Sequence, residues 1–75
     1  MGVPYERFQQ GDVFIDYDLE EVMFRYESSS HRCLRKFYGE STEDEVLHDN
    51  RLLNDAMRFG DEIDSRTYEV GKTKG

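Results

Sequence analysis

The chain contains one cysteine, one proline and no tryptophan. With Cys33 alone no disulfide can staple it, and a lone thiol is the usage of a reducing compartment. Met1 to Glu6 lack the basic-then-apolar pattern of a secretory leader, and no apolar run approaches the ~20 residues that span a bilayer. The expected setting is therefore cytoplasmic, with no membrane attachment. A glycine-rich phosphate loop is missing too: Gly71-Lys72-Thr73 resembles the end of one without its strand, spacing or helix. Positive charge is scarce, ten Lys and Arg against seventeen Asp and Glu. The resulting net charge of −7 repels phosphate. The cluster His31, Arg32, Arg35, Lys36 is too short to reverse that field, which argues against direct nucleic-acid binding.

What the 75 residues do contain is five Phe, five Tyr and three Met, enough to argue for a folded core despite the high charge. A domain this small buries only about 60% of its unfolded surface, so support from a homodimer or a bound partner is expected. The clearest local pattern runs from Ser41 to Gly60. Thr42 and Glu45 are spaced as a capping box. Glu43, Asp44 and Glu45 lie at the positive end of the helix dipole, Arg58 is in the last turn, and Gly60 suits a left-handed stop. At about 100° per residue, Val46, Leu53, Ala56 and Met57 share one face, with Leu52 and Phe59 at its edge. Asp44, Arg51, Asp55 and Arg58 share the other. Asp49 falls on the apolar face, where an unpaired carboxylate is costly. It requires Arg25, Arg35 or Lys36 as a partner, or else that stretch of helix is open to another molecule.

The N-terminal half has to cover this stripe. Residues 1–11 read as a flexible or partly ordered lead-in, with Tyr5 and Phe8 folding back and a helical turn through Glu6 to Gln10 stopped at Gly11. Asp12 to Asp18 alternates as a half-buried strand, Val13, Ile15 and Tyr17 on one side, Phe14, Asp16 and Asp18 on the other. Leu19 to Glu27 fits two templates. As a strand it places Val22, Phe24 and Tyr26 together; as a helix it groups Leu19, Val22, Met23 and Tyr26. The strand is preferred, since the helix leaves Phe24 facing water. Ser28 to Ser30 is a turn, and His31 to Tyr38 alternates loosely as a third strand. Beyond Gly60, Asp64 or Ser65 can cap a turn carrying Tyr68 over Ile63, with an edge strand through Thr67 to Val70 as the rival. The expected fold is α+β: one domain over 12–70, a three-stranded antiparallel meander packed by one long helix in the C-terminal half, and a mobile tail at 71–75. If 19–38 is helical instead, the chain is mostly α.

Charge is unevenly distributed. From Glu40 to Asp64 nine carboxylates face only Arg51 and Arg58, whereas from Arg25 to Tyr38 four cations face only Glu27. The two segments can attract each other within one molecule or between molecules. A solvated helix face is the plain account of the acids. The sharper one is a docking surface for a basic protein partner through Asp44, Asp55, Asp61 and Glu62, with imitation of nucleic acid as a special case. Arg25, Arg32, Arg35 and Lys36 form the alternative interface.

No constellation supports catalysis. Asp16, Asp18, Glu20 and Glu21 lack the glycine and the downstream bidentate acid of a calcium loop. His31, His48 and Cys33 fall short of a zinc set; a pair of His48 with Asp44, four residues earlier, is the simpler expectation. Cys33 beside His31 has no orienting acid or oxyanion donor, and reads as a core residue. Neither cofactor nor metal is expected. The sequence thus predicts a small acidic, non-enzymatic interaction module, a regulator or inhibitor acting by protein–protein contact, with a self-associating structural subunit as the alternative.

Overall fold

The computed structural model describes residues 2–73; the expectations for Met1 in the lead-in and for Lys74 and Gly75 in the tail lie outside them. Its centre is an antiparallel meander of β1 (Val13–Tyr17), β2 (Val22–Glu27) and β3 (Arg32–Phe37). The strand reading of 22–27 holds because both sides are covered: Val22 and Phe24 are buried in one layer and Met23 in the other. A helix would have exposed one of these sets. The connections are tight. A 3-10 turn at Asp18–Glu20 ends on Glu21 in the left-handed region (φ 53°), and the serine turn ends on His31 (φ 58°).

The sheet has five strands rather than three. β4 (Asp44–Val46) pairs antiparallel with β3, and β5 (Asp61–Ile63) pairs with β1, giving the order β4-β3-β2-β1-β5. The long helix expected from Ser41 is correspondingly shortened, because its first turn belongs to β4. Helix α2 (Arg51–Phe59) starts at Asn50, whose side chain accepts from Leu53 N at 3.0 Å; Thr42 caps nothing. Asp49 therefore leaves the apolar face and is exposed in the turn before α2, which removes the need for a partner. Gly60 is extended (φ −78°, ψ −179°), not left-handed. Its small size is still required, since a Cβ there would stand 2.6 Å from the Ala56 carbonyl oxygen and 2.9 Å from that of Asp16.

The sheet is covered on both sides. On one, Leu53 and Ala56 of α2 close over Val13, Ile15, Tyr17, Val22, Phe24 and Cys33. On the other, α3 (Ser65–Val70) inserts Tyr68 against Met23 and Tyr38, with Ile63 and Phe14 beside it. Asp64 caps α3 through Thr67 N at 2.8 Å, as the sequence predicts, and no edge strand forms at Thr67 to Val70. The lead-in is docked: Gly2 N donates to Gly60 O (2.8 Å) and Val3 N to Met57 O (2.9 Å), supplying partners to the free carbonyls at the end of α2. Helix α1 (Arg7–Gln10) stops at Gly11 as expected. Within the described part of the tail, Gly39 N donates to Lys72 O at 2.7 Å.

Leu53→Ala is expected to cost roughly 2–5 kcal/mol, and Met57→Ala less, because Met57 is only half-buried. Asn50→Ala should cost about 1 kcal/mol and Thr42→Ala under about 0.5 kcal/mol. Urea unfolding followed by circular dichroism measures all four, and equal losses at positions 42 and 50 would contradict the late helix start.

Candidate functional site

The four acids named as a docking face do not share one. Only Asp55 is on α2. Asp44 lies on β4, while Asp61 and Glu62 lie on β5 at the opposite edge of the sheet. The common helix face disappears because the helix begins after Asp44 and ends before Asp61. Asp44 stands 3.8 Å from Arg35, and Glu62 is held by Arg7, whose Nε donates at 2.9 Å and keeps that carboxyl below its ordinary range.

The basic set is occupied within the molecule. Arg25 meets Glu27 (3.3 Å) and Glu43 (3.1 Å), and Arg32 meets Glu27 (3.9 Å) and Glu45 (3.6 Å). Arg35 also lies over the Phe37 ring, 5.1 Å from its centre. Lys36 is buried, its ammonium donating to the carbonyls of Tyr68 (2.9 Å) and Glu69 (3.1 Å), where it satisfies the C-terminal end of α3. The attraction between the two oppositely charged segments is thus realised inside the fold.

Asp16, the first of the four clustered acids, is buried and already has a cation. The Lys72 ammonium pairs with its Oδ2, and the Tyr38 hydroxyl donates to Asp16 Oδ1 and, at 3.2 Å, to Asp18. Burial pushes the Tyr38 hydroxyl far above the ordinary tyrosine range, and the two carboxylates add to the shift. Lys72 is raised by its bond to Asp16. Tyr68 is raised by burial and then by Glu43. Among the described residues no group of three His, Cys, Asp or Glu converges as a metal site. Cys33 is buried, which raises its thiol and disfavours the thiolate.

One concavity has a different character. A groove of about 720 Å³ opens between the lead-in, the serine turn and the end of α2. Its lining includes Tyr5 and Phe8 from the lead-in, Met57 and Arg58 from α2, and Tyr26, His31 and His48. Phe8 packs edge-on against Tyr26, ring centres 5.3 Å apart, and the Tyr26 hydroxyl shares a 2.8 Å hydrogen bond with His31 Nδ1. His48 does not pair with Asp44, since it precedes the helix; its Nε2 donates to the His31 carbonyl at 2.6 Å. The fold-back of Phe8 was visible in the sequence, whereas Tyr5, expected to fold back with it, stays 75% exposed. The approach of His48 and Arg58 was not visible there, because it depends on where α2 starts.

Comparison with known proteins places this geometry in context. Residues 1–72 match the profile of the Tis1 immunity protein family. The immune protein Tis1 of Pseudomonas aeruginosa (strain UCBPP-PA14) is 48% identical over 71 residues, covering 93% of this chain and 92% of that protein. A chain in the crystal structure of the complex between the type VI effector Tas1 and its immunity protein superposes with a TM-score of 0.92 at 44% identity, over 100% of both chains.

The raised groups set the alkaline behaviour. Cys33, Tyr38, Tyr68 and Lys72 keep their protons longer in the native than in the unfolded chain. Their contribution is complete below the unfolded values, about 8.5 for the thiol and about 10 for the other three, and is lost as pH rises through the native ones. Denaturant titrations at increasing pH should show stability falling above about pH 8.5 and more steeply above about pH 10, and Tyr38→Phe should make that steeper decline shallower. An unchanged slope in this variant would remove Tyr38 from the account.

Proposed function

We propose that this chain, which belongs to the Tis1 immunity protein family and is not an enzyme, inhibits a type VI effector by binding it. The observation that carries the reading is the full-length correspondence with a chain crystallised in the complex of Tas1 and its immunity protein. At 44% identity more than half of the positions differ, so the partner is taken to be an effector related to Tas1, recognised with a specificity of its own. Inhibition by occupation needs no nucleophile, metal or cofactor, only a surface that stays bound.

The acidity acts at a distance in this reading. With Asp44 on one sheet edge and Asp61 and Glu62 on the other, the four acids cannot all enter one small contact. They contribute instead to a negative field that draws a basic partner surface toward the chain. We place the encounter in the cytoplasm, on the strength of the single, buried, reduced cysteine.

The test is capture of the Tas1 homologue of the chain's own organism, with Tas1 alongside, at low and high salt, together with relief of the effector's toxicity on co-expression. Capture of neither effector overturns the proposal. Asp44→Asn, Asp55→Asn, Asp61→Asn and Glu62→Gln combined should slow association at low salt and flatten its salt dependence, leaving dissociation nearly unchanged. Association at the unaltered rate would reduce the acidic surface to a solvated one.

A further inference from the structure

We infer that the groove between the lead-in and α2 is where this chain grips its effector, and that it receives an apolar or aromatic side chain of the partner together with an adjacent carboxylate. This rests on the effector-binding reading above and adds to it the contact surface and the chemistry of what fills it.

Charge singles the groove out. In a chain of net charge −7, four further concavities of about 250 to 560 Å³ each carry at least one Asp or Glu in their lining. The groove carries none. On its rim Arg58 is exposed and, among the described residues, has no ion pair. It is a guanidinium without a counterion in a molecule where carboxylates are in excess. In the same lining, His31 and His48 each have one ring nitrogen engaged within the fold and, among the described residues, the other unengaged. A carboxylate from outside the molecule is the complement of this set, since Arg binds one through two parallel hydrogen bonds.

The apolar part has the composition of an interface centre. Tyr5 is 75% exposed and Leu47, next to His48, equally so. Large side chains left in water beside a concave apolar wall mark a contact surface, and Tyr, Met and Arg are the residues enriched there while acids are depleted. The wall is also preformed. Gly2 and Val3 are hydrogen-bonded to the end of α2, and the Phe8, Tyr26 and His31 rings brace one another. Gly2 sits at φ +95°, where a Cβ would come within 2.2 Å of the Arg58 carbonyl oxygen, so the lead-in can lie this close only as glycine. A wall ordered before binding spares the complex the cost of ordering it.

The experiment uses the unaltered chain, the double variant Tyr5→Ala with Arg58→Ala, the single variant Arg58→Glu, and a control Leu19→Ala with Val70→Ala. The altered side chains are all exposed, so thermal melts should coincide. Binding to the Tas1 homologue of the same organism is followed by surface plasmon resonance. The groove variant should lose at least about tenfold in affinity, mainly through faster dissociation. Arg58→Ala made alone is measured beside them, and Arg58→Glu should lose more than it does, as repulsion replaces a salt bridge; the control should stay within about twofold. If the unaltered chain captures no effector, the functional reading fails and the inference falls with it. If the unaltered chain binds and the groove variants bind equally well, the inference alone falls. A dimer in sedimentation that Arg58→Glu dissolves would assign the groove to a second copy of the chain and overturn the inference as well.

Discussion

Strand β3 leaves its hairpin with Arg32 and Arg35 on opposite faces and an unpaired edge beside them. Glu43, Asp44 and Glu45 arrive antiparallel along that edge, in a register that sets Asp44 against Arg35 and brings Glu43 to Arg25 and Glu45 to Arg32. Each such pair is worth only about 0–1 kcal/mol on a partly exposed surface. Their influence is on register, since a slip by one residue would move every one of these acids to the wrong face. The ladder itself adds backbone hydrogen bonds of about 1 kcal/mol each and covers an edge that would otherwise be open to a second chain. Against this the competing helix offers one capping box, also about 1 kcal/mol. Since the helix would form backbone hydrogen bonds of its own, the strand wins on the tertiary terms, the covered edge and the cross-strand pairs.

The rest of the layout follows from that result. Once residues 44–46 are strand, the helix can begin only after the turn at Leu47 to Asn50, and its nine residues reach just far enough to cover Ile15 and Phe24. It ends at the top of β1, where Gly60 passes close to the Asp16 backbone and feeds β5 onto the free edge of β1. The end of α2 then presents free carbonyls, and the lead-in supplies donors to them. The lead-in carries Tyr5 and Phe8, which is how the groove acquires its second wall. A three-residue pairing at one edge of the sheet thereby helps to shape a groove whose lining includes His48, two residues beyond β4.

The meander was legible in the sequence because the face under α2 is apolar at every second residue, Val13, Ile15 and Tyr17 in β1 and Val22, Phe24 and Tyr26 in β2, while the other face mixes Phe14 and Met23 with Asp16 and Arg25. Leu53, Ala56 and Met57 were legible as a helix face for the same kind of reason. The start of that helix was not, because Thr42 with Glu45 and Asn50 with Leu53 are both good capping arrangements, and only the free edge of β3, a tertiary fact, decides between them. β5 was missed because three residues, Asp61 to Ile63, are too few to show a period. The site was less legible than the fold. Counting charges along the chain located the two oppositely charged segments, but a sum over sequence cannot tell a carboxylate that faces water from one already neutralised by an arginine two strands away.

That distinction also separates two tasks a binding inhibitor must perform. Rapid encounter depends on the total field, which falls off over roughly a Debye length of 8 Å at physiological salt and does not require the acids to touch the partner. A long-lived complex depends on desolvated contacts, which require shape and a low cost of ordering. On the proposed reading the two properties fall on different surfaces of this chain. The carboxylates lie outside the groove, at the sheet edges, in the turns and on the helices, whereas the groove beside α2 carries Tyr5, Phe8, Tyr26, the histidines and an arginine without a counterion. Had the acids lined the groove, each would have had to be desolvated on binding, at a cost of several kcal/mol per ion unless paired. If the proposed contact holds, keeping the acids outside the groove retains the attraction and leaves the centre of the contact free of that penalty, so sequence changes in one surface can alter the encounter rate without disturbing the grip of the other.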